Sequence, residues 1–180
     1  MWSCGNESFG GSILYRMSQW MRKRDGSRLI HYEGIFRDRR YDGTSDVESR
    51  MYAKPEEVEK YLTDNPQKPF ILCEYAHAMG NSCGGVNRYI ELEDRYEQYQ
   101  GGFIWDFSDQ ALKKKTEDGR VFYAAGGSFD DRPTDGYFSG NGLCFADHTP
   151  TPKMEEIKFL YQPLTFRGED EKLYIRNKNL

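Results

Sequence analysis

The sequence predicts an α/β fold of parallel strands joined by crossover helices, and three observations predict it. Short apolar runs bounded by turn signals, such as "PFILC" and "GGFIW", read as buried strands. Between them lie stretches whose apolar residues recur every three or four positions, as helices require. This alternation holds as far as residue 110 and then gives way to a hairpin and loop pattern, so the chain's last third has a different character.

Each element follows in order. "WSCGNES" at the start reads as the end of a strand entering a loop. A helix fits residues 11–24, where Ile13, Leu14, Met17, Trp20 and Met21 form an apolar stripe. Arg22, Lys23 and Arg24 suit its C-terminus, and Asp25-Gly26 ends it. "RLIHYEG" (28–34) reads as a short strand, 35–46 as an exposed polar loop, and 47–53 as a weaker strand. Pro55 opens the next helix, followed by Glu56 and Glu57 as the helix dipole prefers. Val58, Tyr61 and Leu62 supply its stripe, and Asn65-Pro66 stops it. The strand "PFILCEYA" follows, then a helix over 83–98 with Val86, Tyr89, Ile90, Leu92 and Tyr96, then the strand "GGFIWDF" (101–107). "KKKTEDGRVFYAAGG" reads as a hairpin with Asp118-Gly119 at its tip. Residues 126–150, rich in Gly, Asp and Pro, read as a long structured loop. From Phe159 onward two short strands flank an acidic turn.

Composition narrows the function. A net charge of -4 supplies no basic field for nucleic acid or an anionic membrane, and no apolar run approaches a bilayer span. The four cysteines form no CxxC pair and no zinc-ligand spacing with His31, His77 or His148. A reduced, cytoplasmic protein is expected. Aromatic residues make up 15% of the chain, many beside polar or acidic ones. Sugar clefts favour that mixture, although tyrosines at the rim of an ordinary core account for it nearly as well.

The chemistry concentrates at strand ends. In parallel barrels functional side chains project from the C-terminal ends of strands. Glu7 follows "WSCGN", Glu74 follows "FILC", and Trp105-Asp106 follow "GGFI". Two such carboxylates facing each other suit glycoside hydrolysis, one as acid and one as nucleophile, about 5–5.5 Å apart in retaining enzymes. The acid needs partial burial or a like-charged neighbour to hold its proton, and the nucleophile needs hydrogen-bond donors nearby. Tyr75, His77 and Tyr52 are candidate donors. Taken singly, each residue has an ordinary explanation: a solvated Glu, a structural His, a Trp plugging a barrel.

Four blocks, "WSCGNES", "ILCEYAHAMGNS", "QGGFIWDFSDQ" and "NGLCFADHTPTP", together resemble the bacterial β-galactosidases of glycoside hydrolase family 2, in that family's order. The resemblance covers almost the whole chain. It implies a partial (β/α)8 TIM barrel, about its last half, over residues 1–158, followed by the start of a β-sandwich domain over 159–180. By the same resemblance Glu7 is the acid/base and Glu74 the nucleophile. Tyr52 assists the nucleophile, Asn6 contacts the sugar 2-hydroxyl, His77 binds sugar hydroxyls and Trp105 is the platform under the galactose. The resemblance also implies magnesium and sodium in a full-length parent. Glu7 would be one magnesium ligand, and Phe138 and Asn141 part of a sodium site, with Asn141 also near substrate.

The chain departs from the family in two loops. Phe9 stands where the family commonly has Gly, and Ser128 in "GGSFDD" replaces an acid. The family's other magnesium and sodium ligands have no counterpart in these residues. The expected activity is therefore retaining hydrolysis of terminal β-D-galactosides such as lactose, by an oligomeric parent, with the isolated 180-residue chain inactive and prone to self-associate through open strand edges. Its rivals are another family-2 activity, β-glucuronidase or β-mannosidase, and a non-catalytic sugar-binding or assembly module.

Overall fold

The computed structural model describes residues 1–179, in two compact units, Met1–Asp106 and the described residues from Phe107 onward. The first is built of parallel strands and helices. Strand β1 (Trp2–Ser3) pairs in parallel with β2 (Ile30–His31), and β3 (Glu48–Met51), β4 (Phe70–Tyr75) and β5 (Tyr99–Ile104) form a parallel sheet in that order. The two sheets are tied together where the Asp46 amide donates to the Ile30 carbonyl at 2.8 Å and the Tyr32 amide to Ser45 Oγ at 3.1 Å. Strands of this unit therefore lie side by side in chain order, the arrangement that helical crossovers produce.

Helix α1 (Ser12–Arg24) crosses from β1 to β2. Its Leu14, Met17 and Met21 pack on the buried Cys4, Ile30, Tyr32 and Ile35. The stripe expected from spacing was wider: Ile13 and Trp20 face outward, 79% and 60% exposed, and the Arg24 guanidinium lies over the Trp20 ring. Helix α2 (Pro55–Thr63) buries Val58 and Leu62, and Glu57 closes its first turn by accepting from the Lys54 amide at 2.7 Å. Aromatic contacts bind the sheet to its helices. The Phe70 ring lies between Tyr61 and Tyr99, at centroid distances of 5.2 and 6.2 Å, and Tyr75 meets Tyr89 edge-on.

Several boundaries differ from the sequence reading. Helix α3 spans Asn87–Arg95 rather than 83–98, because Cys83 and Gly85 hold left-handed backbones and Tyr96 is already extended. The strand read over 28–34 keeps regular pairing only at Ile30–His31. Residues Glu33–Arg37 and Arg39–Thr44 are short 3-10 helices where a loop was expected, the second capped by the Asp38 side chain. Strand β5 starts at Tyr99 and stops before Trp105.

The second unit contains the expected hairpin, β6 (Leu112–Lys115) with β7 (Val121–Ala124), and a terminal one, β8 (Leu164–Glu169) with β9 (Lys172–Asn177). Between them lies α4 (Pro152–Leu160), a helix that the sequence reading left unassigned and that Pro152 starts at its first position. No helix among the described residues is long and apolar enough to cross a membrane. All four cysteines are free thiols.

Candidate active site

Four of the parallel strands carry chemistry to their C-terminal ends. Glu74 is the last residue but one of β4, Tyr52 follows β3, Trp105 follows β5, and Glu7 sits in the loop after β1. The register between β3 and β4 is what aims the first two. Arg50 opposes Leu72, but Met51 opposes Glu74, so Cys73 is the extra residue of a bulge. Bulges bend a strand and redirect its next side chain. Beyond the bulge the Tyr52 amide donates to the Glu74 carbonyl at 2.8 Å, and the Tyr52 hydroxyl donates to Glu74 Oε2 at 2.7 Å.

The electrostatics of that hydroxyl bring in the other carboxylate. Burial raises the Tyr52 pKa above the ordinary phenol value. The hydrogen bond to Glu74 raises it further, followed by the negative charges of Glu74 and of Glu7. Both acids thus act on one phenol, which stays a neutral donor far above neutral pH. Beside them burial pushes the Cys73 thiol up to about 11, with the Glu33 and Glu74 charges adding to the shift. A thiol held that high is not a nucleophile at neutral pH.

Glu7 is exposed and its backbone is left-handed, φ 51°. Its loop is held from the segment after β2: Glu33 Oε1 accepts from the Glu7 amide at 2.6 Å, and the Tyr32 hydroxyl accepts from the Ser8 amide at 3.0 Å. Asn6 is in the same loop, its carbonyl accepting from Ser8 Oγ. His77 follows β4, with its ring 5.8 Å from that of Tyr52. The Trp105 amide donates to the Tyr75 carbonyl, and the Trp105 carbonyl accepts from the Ala78 amide at 2.7 Å, which ties the end of β5 to the loop carrying His77. Asn6, Glu7, Tyr52, Glu74, His77 and Trp105 all belong to the first unit. Phe138 and the buried Asn141 belong to the second.

Glu33 and Tyr32 escaped the sequence reading. A signal was present: "LIHYE" is an apolar run ending on a carboxylate, the same pattern that drew attention to "FILCE". Among the described residues no group of three or more His, Cys, Asp or Glu side chains could hold a metal ion. Magnesium is bound through one or two carboxylates in a near-octahedral shell, and Glu7 is the one candidate that the sequence reading offered from this chain. Chemically, the arrangement offers an exposed carboxylate, a second carboxylate held by a neutral phenol, an imidazole beside that phenol, and a tryptophan at the end of the neighbouring strand.

Comparisons with known proteins bear on the family and the fold. The profile of glycosyl hydrolases family 2, TIM barrel domain, matches residues 1–166. Similar proteins include a β-galactosidase of Halalkalibacterium halodurans, 55% identical over 100% of this chain and 18% of that protein. A β-galactosidase of Clostridium acetobutylicum is 56% identical over 100% of this chain and 20% of that protein. The β-galactosidase large subunit of Latilactobacillus sakei is 54% identical over 89% of this chain and 26% of that protein. The chain thus spans about a fifth of the length of the first two curated relatives. Among solved structures, a Bacteroides uniformis β-glucuronidase aligns with a TM-score of 0.53 at 14% identity, over 86% of this chain and 20% of that one. A Ruminococcus gnavus β-glucuronidase aligns with a TM-score of 0.52 at 15% identity, over 82% of this chain and 28% of that one. At such identities the likeness speaks to fold alone.

Proposed function

The chain belongs to glycosyl hydrolases family 2 through that family's TIM-barrel domain, and on that premise we propose that it carries the two catalytic carboxylates of a retaining β-galactosidase. The substrates would be terminal β-D-galactosides such as lactose. The observation that carries this reading is the Tyr52 hydroxyl, bonded to Glu74 and within the field of Glu7.

In this mechanism Glu7 protonates the glycosidic oxygen while Glu74 attacks the anomeric carbon and forms a covalent galactosyl-enzyme. Glu7, now a carboxylate, takes a proton from the incoming water, and Glu74 leaves. Tyr52 keeps Glu74 oriented for attack and stabilises its charge as it departs. Asn6 binds the 2-hydroxyl, His77 binds other hydroxyls, and Trp105 offers its face to the sugar C–H groups. Magnesium and sodium are part of the reading for the whole protein, where they would supply positive charge beside the acid and the sugar. Glu7 would contribute one magnesium ligand, and Phe138 and Asn141 part of the sodium site, with Asn141 also near substrate. The donors named from this chain complete neither set.

The same reading takes residues 1–158 as about the last half of the barrel and 159–180 as the start of a β-sandwich domain. In support, the β8–β9 hairpin leaves Leu164, Phe166, Leu173, Tyr174 and Ile175 exposed, as an element waiting for further strands would; the family match, however, runs on to residue 166. A cytoplasmic location and an oligomeric whole protein complete the proposal, and the open edge of β5 would let the isolated chain self-associate.

The test is a chimera in which residues 1–180 replace the matching segment of the Halalkalibacterium relative. It should hydrolyse aryl β-galactosides in preference to β-glucuronides and β-mannosides, while the 180-residue chain alone turns over none. Glu74→Gln should lower kcat by on the order of 10⁴-fold. Undiminished turnover in that variant, or a preference for glucuronides, would sink the reading.

A further inference from the structure

We propose that Tyr32, Glu33 and Gly34 form a cradle for the main chain of residues 7–9, in which Glu33 is the positioning residue that aims the acid Glu7. The inference rests on the reading of Glu7 given above and extends it to residues with no assigned role.

Three contacts, one to each of residues 7, 8 and 9, make the cradle. Glu33 Oε1 takes the Glu7 amide at 2.6 Å, and the Tyr32 hydroxyl takes the next amide, that of Ser8, at 3.0 Å. Gly34 lies against the Phe9 carbonyl oxygen so closely that a Cβ there would overlap it, and would stand 2.6 Å from Tyr32 Cε1. The loop so gripped needs external support for its backbone. Glu7 and Phe9 both have left-handed backbones, at φ 51° and 60°, which non-glycine residues keep only where their surroundings impose them.

Glu33 is also a poor choice for stability alone. It is 5% exposed, and its Oε2 is buried with no hydrogen-bond partner. A half-satisfied buried carboxylate costs folding energy, so its value lies in what the satisfied oxygen does. A charged acceptor makes a stronger bond to an amide than a neutral one, and here it fixes the residue that must deliver a proton. Its charge also adds to the raised pKa of the Cys73 thiol, the neighbour of Glu74 in sequence. A misplacement of about 1 Å at a reacting group can cost on the order of a hundredfold in rate.

The experiment uses the chimera described above and two galactosides, a dinitrophenyl one that leaves without protonation and an alkyl one that needs the acid. Glu33→Leu should lower kcat/KM for the alkyl galactoside by roughly 30- to 100-fold and for the dinitrophenyl one by no more than about threefold. Gly34→Ala should share that selective loss, and Glu33→Gln, whose amide oxygen still accepts from Glu7, should restore most of the rate. Equal losses on both substrates, or none, would overturn the cradle while leaving Glu7 as the acid. If Glu7→Gln itself shows no dependence on the leaving group, the assignment of the acid falls and the cradle with it. A readout without turnover is hydrogen exchange at the Glu7 amide of the chimera, followed by mass spectrometry. Exchange should be slow in the native sequence and in Glu33→Gln and faster in Glu33→Leu; equal rates in all three refute the proposal.

Discussion

The Tyr52 hydroxyl donates to Glu74 Oε2 at 2.7 Å, linking the residue after β3 to the end of β4. Tyr52→Phe keeps the ring beside His77 and removes this one donor. In the chimera, kcat should fall on the order of a hundredfold through slower breakdown of the covalent intermediate. A burst of aryl alcohol equal to the enzyme concentration, seen by stopped flow, would report it. Unchanged steady-state turnover without a burst would separate Tyr52 from the nucleophile.

His31 joins three strands: its Nδ1 is 3.2 Å from Ser3 Oγ after β1's first residue, and its Nε2 is 2.7 Å from Ser49 Oγ in β3. Burial lowers its pKa from 6.5, so the folded ring resists protonation that the unfolded chain accepts. Its contribution to stability is therefore complete above pH 6.5 and is lost as pH falls through the lower folded value. Urea midpoints of the native chain should drop over that interval. The difference between native and His31→Gln proteins should flatten by the same amount, and parallel curves would rule His31 out as the cause.

Glu48 is 1% exposed and accepts four hydrogen bonds from two arginines: Arg39 Nη1 at 2.8 Å, Arg39 Nη2 at 2.9 Å, Arg50 Nη2 at 3.1 Å and Arg50 Nε at 3.2 Å. Removing one partner leaves a buried charge half compensated. Arg39 is itself partly in water and Arg50 remains, so Arg39→Ala should cost about 1.5–2 kcal/mol, below the range for a fully broken buried pair. Arg40→Ala, which loses an exposed guanidinium bonded to Asp38 and lying over the Tyr41 ring, should move the urea midpoint much less. Similar effects of the two would contradict the role given to burial.

Gly102 in β5 lies tightly against β4. A Cβ there would stand 2.8 Å from Leu72 Cβ and 3.0 Å from the Leu72 carbonyl oxygen. Leu72 and Tyr75 are fully buried and have no room to yield, so Gly102→Ala should cost about 1–3 kcal/mol by overpacking. Gly84→Ala, where an added Cβ meets nothing within 4 Å, is the control and should unfold at nearly the native denaturant concentration.

Much of the first unit was legible as pattern. "PFILCEY" is apolar because both faces of β4 are covered, and the α2 stripe of Val58 and Leu62 is buried as its spacing demands. Helix α1 was only half legible. Spacing marks which residues share a face but not how wide a face the sheet covers, so Ile13 and Trp20 were assigned inward and lie outward. The start of α3 was misread because periodicity says nothing of the left-handed turn at Cys83 and Gly85.

Residue order alone determined the parallel, crossover-linked architecture and marked Glu7, Glu74 and Trp105, because local periodicity and strand-end position are written in neighbouring residues. Only the folded chain decided which groups meet. A one-residue bulge at Cys73 turns Glu74 toward Tyr52, and a buried Glu33 reaches back 26 residues to the Glu7 amide. Such contacts depend on strand register and loop closure, which follow from the packing of the whole sheet and leave no periodic trace in the chain.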